Sequence, residues 1–118
     1  MIFRHALTGL FCLFILLFFH ISCSAGTTEE IANLLQYIEV SKCTFTRNGN
    51  PYDSLAARQH IEKKYNYYKK RITTAEEFIQ YSATKSTLTG KPYKVFCDEV
   101  GMDSSDWLNV ELDEMRAR

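Results

Sequence analysis

The chain lacks the cysteine and histidine spacings on which metal, haem and thiol–disulfide chemistry depend. It contains no C-x-x-C, no C-x-x-C-H and no Cys/His spacing of the zinc-binding kind. Beyond residue 24 only Cys43, Cys97 and His60 remain of these residue types, so neither a metal site nor a cofactor is expected. G-x-S-x-G is missing, and nothing marks out a carboxylate to orient His60. Thr89-Gly90-Lys91 lacks the upstream glycine of a phosphate loop and runs into Pro92. The acids Asp98, Glu99, Asp103 and Asp106 do not follow the D-x-D-x-D-G spacing of a calcium loop. Glu76 and Glu77 are neighbours on a predicted helix and point about 100° apart, so they do not form an acid/base pair. No catalytic residue is assigned. Internal repeats, low-complexity tracts and dividing linkers are also absent.

Long apolar runs are lacking too, with one exception at the start. Arg4 precedes an unbroken apolar run over residues 10–19, and Ser22-Cys23-Ser24-Ala25-Gly26 follows it. A basic start, a short apolar core and a small-residue zone are the layout of a secretory signal peptide. The run is shorter than the roughly 20 residues a spanning helix needs. The expected organisation is therefore a signal peptide over residues 1–24 and a single domain over residues 25–118. Membrane association is expected only if Cys23 is lipidated or the signal is left uncleaved.

Net charge is absent from the whole, with 14 basic and 14 acidic residues, but not from the parts. Residues 25–41 carry −3, residues 42–94 carry +7 and residues 95–118 carry −5. Either the acidic ends fold against the basic middle, or the surface is dipolar and steers a charged partner.

Four helices are legible. Thr27 and Glu30 have capping-box spacing, and Ile31, Leu34, Leu35 and Ile38 follow at i, i+3, i+4, i+7, so a helix is expected over residues 27–41. Asp53 caps a second over residues 54–71, with Ala57, Ile61, Tyr65, Tyr68 and Ile72 on its buried face. Its solvent face is read as His60, Lys63, Lys64, Tyr67, Lys70 and Arg71. Thr73-Thr74 with Glu76-Glu77 opens a third, short helix with Phe78 and Ile79 inward. Ser104 or Ser105 caps a fourth, lined by Trp107, Leu108, Leu112 and Met115. Residues 43–46 and 93–97 read as strands, with Tyr93, Val95 and Cys97 on one face. Asn48-Gly49 is a turn signal, Asn50-Pro51 extends the break, and residues 98–103 form an acidic turn. The predicted class is α+β: a small domain of about four helices on a short sheet of two strands, or three.

Export favours oxidation, and Cys43 and Cys97 both fall in predicted strands, so a disulfide between them is expected. It would close a loop of about 55 residues and contribute roughly 4 kcal/mol in the chain-entropy picture. The most suggestive surface is the outer face of the second helix. Lys63, Tyr67 and Lys70 follow i, i+4, i+7 with Lys64 and Arg71 alongside, an aromatic ring among cations that suits an anionic or ring-bearing ligand. A merely solvated helix face is the plainer alternative.

Three blocks in order, Phe45-Thr46-Arg47-Asn48-Gly49, Arg71-Ile72-Thr73-Thr74-Ala75-Glu76-Glu77-Phe78-Ile79 and Ser86-Thr87-Leu88-Thr89-Gly90-Lys91-Pro92-Tyr93, resemble the YfeK-like family of small bacterial envelope proteins. The resemblance implies export to the periplasm and a single domain of unknown function, and it brings no catalytic residue with it. Within its blocks Arg47, Arg71, Lys91 and Tyr93 are candidates for a shared anion site.

The expected function is a non-enzymatic binding module for an envelope protein or an anionic envelope component. The alternative is an enzyme or inhibitor acting in cell-wall metabolism. Nucleic acid is excluded as a partner by compartment.

Overall fold

The structure, a computed structural model, describes residues 26–118. The signal-peptide expectation and Cys23 lie outside the described residues.

Helix α1 (Thr27–Val40) buries Ile31, Leu34, Leu35 and Ile38, the apolar period of the sequence. Its N-cap is Gly26, not Thr27. Thr27 lies inside the helix and donates from Oγ1 to the Thr73 carbonyl at 3.1 Å, while Glu30 turns to Arg116. The capping box expected there is replaced by these tertiary contacts.

Two hairpins make up the sheet. Strands β1 (Thr44–Arg47) and β2 (Asn50–Tyr52) are joined by Asn48 at φ 53° and Gly49 at φ 80°, the positive-φ pair of a two-residue turn. Strands β3 (Lys94–Cys97) and β4 (Val100–Asp103) are joined by Asp98 at φ 52° and Glu99 at φ 68°. The sheet runs β2-β1-β3-β4, antiparallel throughout. The α+β class holds, but four strands replace the two or three expected. Asn50-Pro51 is the start of an edge strand rather than a prolonged break, and most of the acidic turn is β4. Pro51 is tolerated because an edge strand has a side that needs no donor.

One face of the sheet is covered by the helices. Phe45 and Val95, which pair across β1 and β3, are buried, while Thr44, Lys94 and Phe96 on the other face are exposed. Cys43 and Cys97 are joined by a disulfide with their Cα atoms 4.7 Å apart, one step beyond the Thr44–Phe96 pair. The bond therefore ties neighbouring strands side by side.

Helix α2 (Ser54–Tyr68) begins where Asp53 Oδ1 accepts from the Ala56 amide at 2.8 Å. It ends three residues earlier than expected, in a 3-10 turn over Lys69–Arg71. Helix α3 (Ala75–Ser82) is capped by Thr74 Oγ1, which accepts from the Glu77 amide at 3.1 Å, and Glu77 accepts in return from the Thr73 amide at 3.1 Å. Helix α4 (Ser104–Ala117) has Asp103 at its N-cap rather than a serine, and the Asp103 carboxylate pairs with Lys94. Trp107 of α4 stacks on Tyr37 of α1 at 4.5 Å and meets Phe45 edge-on at 5.6 Å, so one ring joins both helices to the sheet.

The acidic ends answer the basic middle only in part. Glu39–Arg58 and Asp103–Lys94 join the two, whereas Arg116 reaches Glu30 and Glu76, and Arg118 reaches Glu111. Among the described residues Arg47 and Lys64 enter no ion pair with a carboxylate.

Candidate functional site

The strand period places a polar group at one end of the covered face. Arg47 lies two residues beyond Phe45 on β1, and Tyr52 on β2 pairs with Phe45. Tyr93 lies two residues before Val95. All three point to the side of the sheet on which α2 packs, and α2 contributes His60 and Lys64 to the same place.

These five side chains form a connected collar. Arg47 Nη2 donates to Tyr52 Oη at 3.0 Å, and its guanidinium carbon sits 4.8 Å above the Tyr52 ring. Arg47 Nη1 lies 2.6 Å from Nδ1 of His60 and 2.9 Å from Nε2. Tyr93 Oη lies 3.0 Å from His60 Nε2. Lys64 Nζ donates to Tyr93 Oη at 3.2 Å and to the Lys85 carbonyl at 2.8 Å.

The protonation of the collar follows from these contacts. Burial first, then the charges of Arg47, Lys64 and Lys63, push His60 from 6.5 down to about 4, so the imidazole is neutral at pH 7. Arg47 can only donate, and its shorter contact is to Nδ1, so we assign the acceptor role to Nδ1 and the proton to Nε2, which then faces Tyr93. Tyr93 Oη then accepts from both His60 and Lys64, and Tyr52 Oη accepts from Arg47. Each phenol keeps its own proton free to donate. Burial raises the Tyr93 pKa, which keeps that hydroxyl protonated. Burial and then Arg47 lower the Lys64 pKa, the mark of a cation partly desolvated beside another cation. The open valences of the collar are thus donors.

Two cavities meet at the collar. The inner one, of about 200 Å³, runs between sheet and α2 and is lined by Phe45, Ala56, Ala57 and Ile61, with Ser104 of α4 at its wall. The outer one, of about 320 Å³, is rimmed by Asn48, Asn50, Ser86, Thr87 and Leu88. Arg47, Tyr52, His60 and Tyr93 line both. Neither is lined by an aspartate or glutamate. The rim is held in place by the first hairpin turn: Asn48 Nδ2 donates to Ser86 Oγ at 3.3 Å, and Thr89 Oγ1 donates to Asn48 Oδ1 at 2.6 Å. Gly90 closes the rim loop at φ 72°. Among the described residues no three His, Cys, Asp or Glu side chains gather to hold a metal ion.

Of the residues singled out in the sequence as a binding surface, the structure brings Arg47, Lys64 and Tyr93 together and sets Lys63, Tyr67, Lys70, Arg71 and Lys91 apart from them. Tyr67, Lys70 and Arg71 lie at the far end of α2 and its 3-10 turn, along an open groove with Tyr68. Tyr67 is 82% exposed. Lys63 and Lys91 are exposed, and Lys91 belongs to the rim loop without lining either cavity. His60 and Lys64, read as solvent-facing, are instead half-buried in the collar. For Lys64 a signal was present, because at 100° per residue it falls about 20° beyond Ala57, at the very edge of the apolar arc of α2. Tyr52 and Ser104 carried no such signal, since their placement depends on strand pairing and on the packing of α4.

Fold and pocket define a small α+β domain with a cationic, donor-lined cavity beside its sheet. Residues 25–116 match the family of unknown function DUF5329, and the chain belongs to that family. Over 50 residues it is 44% identical to the uncharacterized protein YfeK of Salmonella typhimurium, a match spanning 42% of this chain and 42% of that protein. The match thus spans less than half the length of that curated relative. No solved structure matches the chain.

Proposed function

We propose that this domain is an exported, non-enzymatic binding module whose collar captures the anionic group of an envelope component. One observation carries the reading. Arg47 and Lys64 are half-buried, have no carboxylate partner among the described residues, and share a collar whose free valences are donors. Partly desolvated cations without a counter-charge are unfavourable, and an anion seated among them relieves that cost with charge-assisted hydrogen bonds.

Export rests on the signal-peptide layout of residues 1–24 and is supported by the Cys43–Cys97 disulfide, a bond that persists in oxidising compartments such as the bacterial periplasm. Among the described residues no helix is long and apolar enough to cross a membrane. Lys63, Lys70, Arg71 and Lys91 stand away from the pocket, and in this reading they supply a long-range positive potential that draws anions towards it.

Calorimetric titration with inorganic phosphate at low ionic strength tests the reading. Arg47→Ala and Lys64→Ala should each weaken binding by about tenfold or more, the weight of a charged hydrogen bond. Charge reversal at Lys63, Lys70 and Arg71 should change chiefly the salt dependence. Equal phosphate affinity in the Arg47→Ala and Lys64→Ala proteins and the parent would overturn the assignment of the collar.

A further inference from the structure

The inner cavity has a chemistry of its own, and a ligand that fills it presupposes the anion site proposed at its mouth. Its lining is apolar apart from the collar, Thr46 and Ser104. Ser104, in the first turn of α4, is fully buried, lines this cavity, and its Oγ has no hydrogen-bond partner. Buried hydroxyls are nearly always paired. Ser82 Oγ is unpaired too, and what sets Ser104 apart is its place in the wall of this cavity, where a polar atom of a bound molecule would complete the set. Cavity size bounds that molecule. An apolar cavity of about 150 Å³ holds a benzene ring, and this one is about 200 Å³.

We propose that the pocket takes a small organic acid: an anionic head held at the collar by Arg47 and Lys64, a ring-sized apolar body between Phe45, Ala56 and Ile61, and a hydrogen-bonding atom at the far end meeting Ser104 Oγ. The donor-only collar selects the sign of the head. The four residues common to both cavities place head and body on one continuous path, so a single molecule occupies both.

Matched pairs of probes isolate the body from the head. Benzoate is compared with acetate and phenyl phosphate with inorganic phosphate, by calorimetry on the purified protein. Burying a ring-sized apolar group should tighten binding by about ten- to a hundredfold in each pair. Ala56→Leu fills the cavity with a good helix former and should erase that gain, bringing benzoate level with acetate and phenyl phosphate level with inorganic phosphate. In the parent protein 4-hydroxybenzoate should bind several-fold tighter than benzoate, and Ser104→Ala should remove that preference.

If benzoate binds no tighter than acetate while inorganic phosphate still binds, the cavity does not seat a ligand body and this inference falls, with the anion site left standing. If no anion binds at all, both fall. Circular dichroism confirms that Ala56→Leu is folded. Should it unfold, Ser104→Ala decides: a lost preference for 4-hydroxybenzoate supports the inference, and a preserved one overturns it.

Discussion

His60 shows how one residue's surroundings become a property of the folded protein. Its neighbours Arg47, Lys64 and Lys63 are all cationic and Tyr93 is neutral, so protonation adds charge where charge is already in excess. The folded-state value is about 4 against 6.5 for the free group. Between those two pH values the unfolded chain binds a proton that the folded chain refuses. Stability present above pH 6.5 is therefore lost as the pH falls through this window. The melting temperature of the parent protein should decline between about pH 6.5 and 4.5, and His60→Gln should flatten that decline. Glu30 and Glu76 do not confuse the measurement. Those two and Glu77 are held below the usual carboxylate value of 4.5, by the Arg116 guanidinium and by the Thr73 and Thr74 hydrogen bonds respectively. Their contribution is lost only as the pH falls through 4.5 and below, and the upper part of the window reports His60. An unchanged slope in His60→Gln would show that the imidazole is not held neutral by the collar.

At the scale of elements, the helices and the strands follow different logic. The helices are specified by apolar period and caps, and the buried positions of α1 are those the period names. The outer strands are three and four residues long with little burial, so no alternation announces them. The two hairpins also differ in their turns. Asn48-Gly49 suits positive φ, whereas Asp98-Glu99 places a glutamate at φ 68°. For a residue with a Cβ that conformation costs roughly 1–2 kcal/mol. Glu99→Gly should recover about 1 kcal/mol of it, less what glycine gains in the unfolded chain, measured as a higher urea midpoint with unchanged slope. A lower midpoint would mean that the Glu99 side chain contributes more than its backbone costs. Gly101 behaves differently: a Cβ built there lies 2.4 Å from the Phe96 ring. That glycine is needed for the ring to lie across it, and not for its backbone angles.

At the scale of the molecule, the disulfide and the cross-strand pairing hold the site together from opposite ends of the sheet. Cys43 and Cys97 close the end where β1 begins and β3 finishes, and Arg47 and Tyr93 stand at the other. The sequence separation is 54 residues. Replacing both cysteines by alanine should lower the unfolding free energy by about 2–4 kcal/mol, read from urea denaturation. Phosphate affinity at the collar should change little, because the Asn48–Ser86 and Thr89–Asn48 contacts hold that end independently. A large loss of affinity in the folded variant would show that the bond also sets the collar.

The sequence alone determined what depends on neighbours in the chain. The four helices, the Asn48-Gly49 turn, the α+β class and the pairing of two cysteines follow from local period, cap chemistry, turn preference and the small number of partners. Tertiary structure decided what depends on register. A strand side chain changes face with every residue, so only the pairing Phe45↔Tyr52 and Phe45↔Val95 determines that Arg47, Tyr52 and Tyr93 share a side. Only the docking of α2 on that side turns His60 and Lys64 from surface residues into a collar. The burial of Ser104 depends in turn on α4 packing at the cavity's end. Those contacts join residues from distant parts of the chain, and no local pattern encodes them.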